Sequence, residues 1–254
     1  MQNIIGIDIG ATKMTGVVFD GKKSVKEITL ATPTDLAGFK KSLCDLIDAL
    51  KAKAKIRGIG IGVAGLVNPA KGTVRVSGNM KFKANFDLVS LLKGRYHLPV
   101  KIDNDANSFT RAEMLLGQGK NFQNFLGLIL GTGLGGGIVI NNQIYRGKKN
   151  NAAEFGHMVA GGVFWQTNFQ KARNKRAYGI LGRVLGQGFA GLVNIFSPEA
   201  LILAGSVAVK AHSKFLPGAK REMRTFLFDK SAEPKILVSK LRHPGALGAA
   251  LLFF

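Results

Sequence analysis

Residues 4–19 read IIGIDIGATKMTGVVF, and residues 125–140 read FLGLILGTGLGGGIVI, the same pattern 121 residues later. Aligned without gaps, Gly6 meets Gly127, Gly10 meets Gly131, Gly16 meets Gly137 and Val18 meets Val139, and the apolar positions largely coincide. Each copy is an apolar strand, a glycine turn and a second strand rich in β-branched residues, ending at Asp20-Gly21 or Asn141-Asn142. One such hairpin is commonplace. Two of them, each opening one half of the chain, point to duplicated lobes.

Working outward, the first hairpin is followed by an expected strand at Ser24–Ala31, a helix at Leu36–Ala54 and a strand at Ile56–Val63. A helix at Phe86–Leu92, a strand at Val100–Asp103 and a helix at Ala106–Leu116 complete the first half. The second half is compressed: helix Ile180–Phe196, strand Ala200–Ala204, helix Phe215–Phe226, strand Lys235–Val238 and a closing helix Ala246–Phe254. Three strands followed by alternating helices and strands predict an α/β mixed sheet with helices on both faces. The lobes are expected at 1–117 and 118–244, with the closing helix 245–254 packed on the first.

Composition narrows the class. Apolar residues make up 46% of the 254, enough for two cores. The single cysteine, Cys44, excludes a disulfide framework and a multi-thiolate metal site; on an amphipathic stretch it reads as a buried structural thiol. The start, MQNIIGID, lacks the basic region of a secretory signal. Residues 121–145 carry no charge, but their glycines and polar residues argue against a membrane span. A cytoplasmic protein is expected. The formal charge is +21, with 18 basic against 10 acidic residues in 1–117 and 18 against 5 in 118–254. Such a field attracts polyanions, although scattered lysines also suit a plain solvated surface.

The glycine turns suit phosphate. Without a Cβ the backbone can approach an anion closely, adopt positive φ and turn successive N–H groups toward it. Gly10-Ala11-Thr12-Lys13 adds a hydroxyl and a cation, and Gly131-Thr132-Gly133 adds a hydroxyl. Asp8, just ahead, could orient water on a Mg2+ that bridges phosphate oxygens. Two ligand-free β-turns are the plain alternative. Gly131, Gly133 and Gly136 also fit the dinucleotide fingerprint, but a strand follows where that fingerprint needs a helix. No Walker A loop occurs.

The strand before Asp103-Asn104-Asp105-Ala106-Asn107 ends where ligands gather in open sheets, at the carboxyl end. A carboxylate there can orient a hydroxyl and take its proton late in phosphoryl transfer. Asp103 or Asp105 could equally cap the next helix. Further on, Glu154 and His157 place a carboxylate and an imidazole three residues apart, able to fix neighbouring ring hydroxyls.

Together these residues resemble the ROK family (repressors, open reading frames and sugar kinases) over nearly the whole chain. IGIDIGATK resembles its first phosphate motif. GVAGLVNPAKGTVRVSGN, residues 62–79, resembles the loop that includes Gly65 and ends in a sugar-binding Asn, here Asn79. DNDAN resembles the catalytic segment, which implies Asp105 as base and Asn104 as a sugar contact. LGTGLGGGIVINNQIYRG followed by AAEFGHM is the most specific match and implies Glu154 and His157 as sugar ligands. Leu203-Ala204-Gly205-Ser206 is similar to the glycine-rich adenosine-side loop, and Gly245-Ala246-Leu247-Gly248 to the opening of the closing helix.

The resemblance implies the actin-like ATPase (ribonuclease H-like) fold, a duplicated two-lobe α/β architecture with a cleft between lobes. It implies Mg2+-dependent 6-phosphorylation of a hexose, glucose being the commonest acceptor, with ATP as donor, and it leaves a homodimer open. Many members carry a Cys-rich zinc segment that ends in a sugar-binding Glu. Here that stretch reads VAGGVFWQTNFQKARNKRAYG, with neither Cys nor Glu, so no zinc is expected and one sugar ligand is missing. A short chain without that segment also resembles the polyphosphate-using glucokinases, and the basic second half fits such a donor. The family's repressors carry a helix-turn-helix ahead of the body, for which a first strand at Ile4 leaves no room. Specific nucleic-acid binding is therefore not expected. A non-catalytic sugar binder is a third reading, opposed by the retained Asp8, Asp105, Glu154 and His157.

Overall fold

The computed structural model describes residues 3–52, 54–76, 85–160 and 162–254. The chain falls into two compact units, one of Met1–Leu115, Arg146–Ala152 and Leu241–Phe254, the other of Leu116–Tyr145 and Ala153–Lys240.

In the first unit, β1 (Asn3–Ile9), β2 (Lys13–Phe19) and β3 (Ser24–Ala31) form an antiparallel meander, followed by α1 (Leu36–Lys51). β4 (Ile56–Val63) pairs parallel with β1. A small sheet of β5 (Leu66–Asn68), β6 (Thr73–Val76) and β7 (Phe86–Asp87) leads into α2 (Leu88–Tyr96). β8 (Val100–Asn104) pairs parallel with β4, and α3 (Asp105–Leu115) follows directly. The sheet order is β3-β2-β1-β4-β8.

The second unit repeats the plan. β9 (Phe125–Leu130), β10 (Leu134–Ile140) and β11 (Gln143–Tyr145) form its meander. β12 (Val159–Ala160) and β13 (Val163–Phe164) form a small ribbon before α4 (Trp165–Asn174) and α5 (Tyr178–Phe196). β14 (Ala200–Ala204) pairs parallel with β9, α6 (Gly205–Phe226) follows, and β15 (Lys235–Val238) pairs parallel with β14. The order β11-β10-β9-β14-β15 matches that of the first unit strand for strand. The 121-residue sequence offset is thus a repeat of sheet topology.

Several boundaries differ from the sequence reading. Phe86 lies in a strand and α2 starts only at Leu88, because Asp87 caps the helix by accepting from Ser90 N; it runs on to Tyr96, where His97 takes a left-handed conformation and donates to Lys93 O. α4 was not expected. α6 starts ten residues before the expected Phe215: its early β-branched and polar residues hide the helical pattern, and Pro217 lies inside it. Cys44 on α1 is half-buried rather than buried. α5 is long and apolar enough to cross a bilayer, but half of its apolar window is buried, mostly against α6 and α4.

The core of the first unit joins β1, β2 and β4 to α1 through Ile5, Ile7, Ile9, Met14, Val18, Phe39, Leu43, Leu46, Ile47, Ile59 and Ile61. On the other face α7 (Pro244–Ala250) lies on β1 and β4. It can approach so closely because those strands present Gly6 and Gly60, where an added Cβ would collide with the backbone of α7. The 245–254 segment therefore belongs to the first unit.

Residues 146–152 also join the first unit, although β11 before them belongs to the second. An ion pair accounts for this. Arg146 grips Asp103 in a fork, Nη1–Oδ1 at 2.6 Å and Nη2–Oδ2 at 2.7 Å, and Arg111 Nη1 reaches Oδ2 at 3.1 Å. Asp103 keeps 1% of its surface. Burial pushes its carboxyl up, but the Arg146 hydrogen bonds and the charges of Arg146 and Arg111 outweigh burial and hold it below the usual carboxylate range. Asp103, one of two candidate chemical carboxylates in the sequence, is a structural residue.

Three substitutions test this packing. Gly60→Ala should cost at least about 2 kcal/mol in urea unfolding, since overpacking a tight contact does so. Gly94→Ala, on α2 with open space around it, should be neutral or gain up to about 1 kcal/mol. Asp103→Asn should cost about 3 kcal/mol at pH 7, the low end for breaking a buried pair, because Arg146 keeps 28% of its surface in solvent. The folded pKa of Asp103 lies below its unfolded value of about 3.9, so the pairing contributes fully above that value and fades as pH falls through the folded pKa. The gap between wild type and Asp103→Asn in urea unfolding should hold from pH 7 to about pH 5 and narrow by about pH 3. A constant gap would contradict the assignment.

Candidate functional site

In the first unit the candidate residues collect at the carboxyl ends of the parallel strands β1, β4 and β8. Asp103 is committed to its arginines, so the cap of α3 falls to the next residue. Asn104 Oδ1 accepts from Ala106 N at 2.8 Å and Asn107 N at 3.1 Å, and its amide donates to Gly65 O at 3.0 Å. Asp105 Oδ1 shares the Ala106 N–H at 2.9 Å, so the main cap is Asn104 and not Asp103, one of the two aspartates that the sequence offered. Gly65 sits at φ +122°, which favours glycine and turns its carbonyl to Asn104.

Asp105, the first residue of α3, is half-buried, and its charge reaches Asp8 at the end of β1. Asp8 is only partly exposed and densely surrounded. Burial, then the Asp105 charge, push its carboxyl up to about 7, with Lys13 pulling the other way. Gly245 of α7 lies against it, close enough that a Cβ there would stand 2.5 Å from Asp8 Oδ2. Two carboxylates that resist joint ionisation are a setting that a divalent cation relieves. Mg2+ takes one or two carboxylates plus water and phosphate oxygens, and the Asp8–Asp105 pair fits that demand. Among the described residues no group of three or more His, Cys, Asp and Glu could hold a metal by itself.

The first glycine turn closes by Gly10 N donating to Lys13 O at 3.0 Å. Its carbonyls are held by Thr32: Thr32 Oγ1 donates to Gly10 O and Thr32 N to Thr12 O, each at 3.0 Å. Thr12 and Lys13 are exposed.

The second unit has the matching turn, closed by Gly131 N donating to Gly133 O at 3.0 Å. Here α4 does the holding. Arg173 Nη1 donates to Gly131 O at 2.8 Å, Gln170 Nε2 to Thr132 O at 3.1 Å, and Gln166 Oε1 accepts from Leu134 N at 3.0 Å. Buried Trp165 anchors α4 by donating to Val184 O. The sequence reading missed Thr32, Gln166, Gln170 and Arg173, because only the folded chain brings them to the turns. None of Gly10, Gly131 and Gly133 has positive φ, so left-handed backbone is not why glycine stands there. A Cβ at Gly131 would meet nothing within 4 Å.

Gly205 does need to be glycine. It sits at φ +87°, and a Cβ would come within 2.5 Å of Leu130 O. It begins α6, whose N-terminus has no side-chain cap and, through the parallel β14–β9 pairing, adjoins the end of β9 that leads into the Gly131 turn. A helix start with open N–H groups favours anions.

Glu154 and His157, also in the second unit, flank the short turn Phe155–His157. His157 Nδ1 lies 3.5 Å from Glu154 Oε2, and both side chains remain well exposed. Phe155 is buried against β10, which fixes the turn. Asn79 lies outside the described residues.

The family model of the ROK family matches residues 4–166 and 162–254. Over 155 residues the chain is 36% identical to the glucokinase of Streptomyces coelicolor, covering 61% of this chain and 49% of that one. The chain thus spans about half the length of the curated relatives it matches. The structure of a ROK family glucokinase from Streptomyces griseus in complex with glucose and AMPPNP superposes with a TM-score of 0.86 at 26% identity, covering 98% of both chains. An inorganic polyphosphate/ATP-glucomannokinase from Arthrobacter sp. strain KM superposes with a TM-score of 0.81 at 25% identity, covering 99% of this chain and 98% of that one. With a matching fold, a repeated sheet order and a family match along nearly its full length, this chain is a member of the ROK family.

Proposed function

We propose that this chain is a sugar kinase that transfers the terminal phosphoryl group of ATP to a hexose hydroxyl, with glucose as the leading acceptor and glucose 6-phosphate as product. The observation that carries the reading is the Asp8–Asp105 pair beside the first glycine turn, with Asp103 and Asn104 already committed to holding the strand end. The Streptomyces griseus relative, seen with glucose and AMPPNP, supports the same substrate classes.

In this reading Asp105 accepts the proton of the acceptor hydroxyl as its oxygen bonds to the terminal phosphorus. The bond from that phosphorus to the donor's bridging oxygen breaks. The transition state is loose, so orienting the hydroxyl matters more than base strength. Gly65, Asn104, Glu154 and His157 would bind the acceptor: Asn104 keeps one amide N–H beyond its bond to Gly65, and Glu154 offers carboxylate oxygens. Asn79 would join them. Gly10, Thr12, Lys13, Gly131, Thr132, Gly133 and Gly205 would bind the donor's phosphates and nucleotide. Asp8 would hold Mg2+ through water, and a bound Mg2+ supplies charge neutralisation on the phosphoryl oxygens. The absence of a positive φ or a packing need at Gly131 suits a backbone that a ligand approaches. We place the protein in the cytoplasm, where ATP and hexoses meet.

Polyphosphate is the second donor reading, favoured by the charge of +21 and by the Arthrobacter relative.

Asp105→Ala should lower kcat by about two to four orders of magnitude in a coupled assay, while calorimetry still detects hexose binding. Near-normal turnover would remove Asp105 from the role of base. For the donor, raising KCl from about 20 to 200 mM should weaken polyphosphate use far more than ATP use. Equal responses would leave the charge argument without force.

A further inference from the structure

A second basic cavity lies in the first unit, and none of the residues assigned above to substrate, donor or metal lines it. It has a volume of about 440 Å³ between the β5–β6 turn, α2 and the edge strand β8. Lys71, Lys93, Lys101 and Arg146 line it together with Ser90, and no carboxylate does.

Its parts are held in place. Asn68 Oδ1 accepts from Lys71 N, and Gly72, at φ +71°, accepts from Val89 N through its carbonyl. The first bond closes the turn and the second joins it to the start of α2. Ser90 and Lys93 stand three residues apart on α2 and so share one helix face. Lys101 donates to Leu252 O at 2.8 Å and stands over the Phe253 ring. Arg146 is oriented by its fork on Asp103. Two exposed cations of the first unit are met by carboxylates, in Lys41–Asp45 and Arg95–Asp48. Among the described residues neither Lys71 nor Lys93 forms an ion pair.

Asp103 already answers Arg146, but Lys71, Lys93 and Lys101 line one concave space without a carboxylate among its lining residues, and a bound anion relieves the repulsion among them. The volume is in the range of small-ligand pockets, and the lining offers ammonium, guanidinium and hydroxyl donors without an acidic acceptor. We propose that this cavity is a separate anion site that takes a compact phosphorylated molecule, either a short inorganic phosphate chain or a sugar phosphomonoester. Arg146 links it to Asp103, so an occupied cavity draws on the same guanidinium that holds the strand end before Asn104 and Asp105.

The test is calorimetric titration of the full chain with pyrophosphate, and separately with glucose 6-phosphate, in Mg2+-free buffer at about 20 mM salt. Lys71→Ala/Lys93→Ala should weaken the cavity component at least fivefold for whichever anion binds, with its unfolding midpoint unchanged. Lys13→Ala, which alters the first glycine turn instead, should leave that component in place. The anion that binds more tightly identifies the source. Wild-type affinity in the double variant, loss of all binding in Lys13→Ala, or no binding of either anion would overturn the proposal. None of these readouts depends on turnover, so the site and the kinase reading fail separately.

Discussion

A carboxylate with 1% of its surface in water keeps its charge only if cations answer it, and Asp103 is answered by Arg146 and Arg111. Much else follows from that commitment. With Asp103 turned to its arginines, Asn104 becomes the cap of α3 and also binds Gly65. Asp105, one residue on, starts the helix in a half-buried position where its charge reaches Asp8. Three consecutive polar residues thus take three separate duties: structural ion pair, cap and candidate base. The same ion pair draws residues 146–152 into the first unit, between two segments of the second.

The two glycine turns show how a duplicated hairpin diverges while it keeps its form. Both close through an N–H to a carbonyl two or three residues on, and both have their carbonyls held by donors from elsewhere in the chain. The donors differ. Thr32, beside β3, serves the first turn, whereas Arg173 and Gln170 of α4 serve the second. The stretch that lacks the cysteines expected of many family members therefore still does structural work here. It forms a helix pinned by a buried tryptophan, with polar side chains that position the second turn.

The two five-stranded sheets were legible in the sequence because hairpin signals are local: apolar alternation, a glycine turn, then β-branched residues; the small sheets β5-β6-β7 and β12-β13 were not, their strands being two to four residues long. The parallel strands β4, β8, β14 and β15 were found for the same reason, as short apolar runs between helical patterns. Helix ends were less legible. Gly205 opens α6 only because its positive φ and close approach to Leu130 are met in the folded chain. At the site, Asp8, Asp105, Glu154 and His157 could be named from motif positions. Thr32, Gln166, Gln170 and Arg173 could not, since their partners lie 20 to 42 residues away in sequence and the bonds form only after packing.

The sequence by itself determined the repeat, the α/β class, the family resemblance and the residue types able to hold phosphate and a hydroxyl, since each rests on local pattern or composition. Tertiary structure alone decided that Asp103 is spent on a buried ion pair, because that depends on arginines 8 and 43 residues away. It also decided why Asp8 rises to about 7, because burial and the approach of a second carboxylate belong to the folded chain and not to the order of its residues.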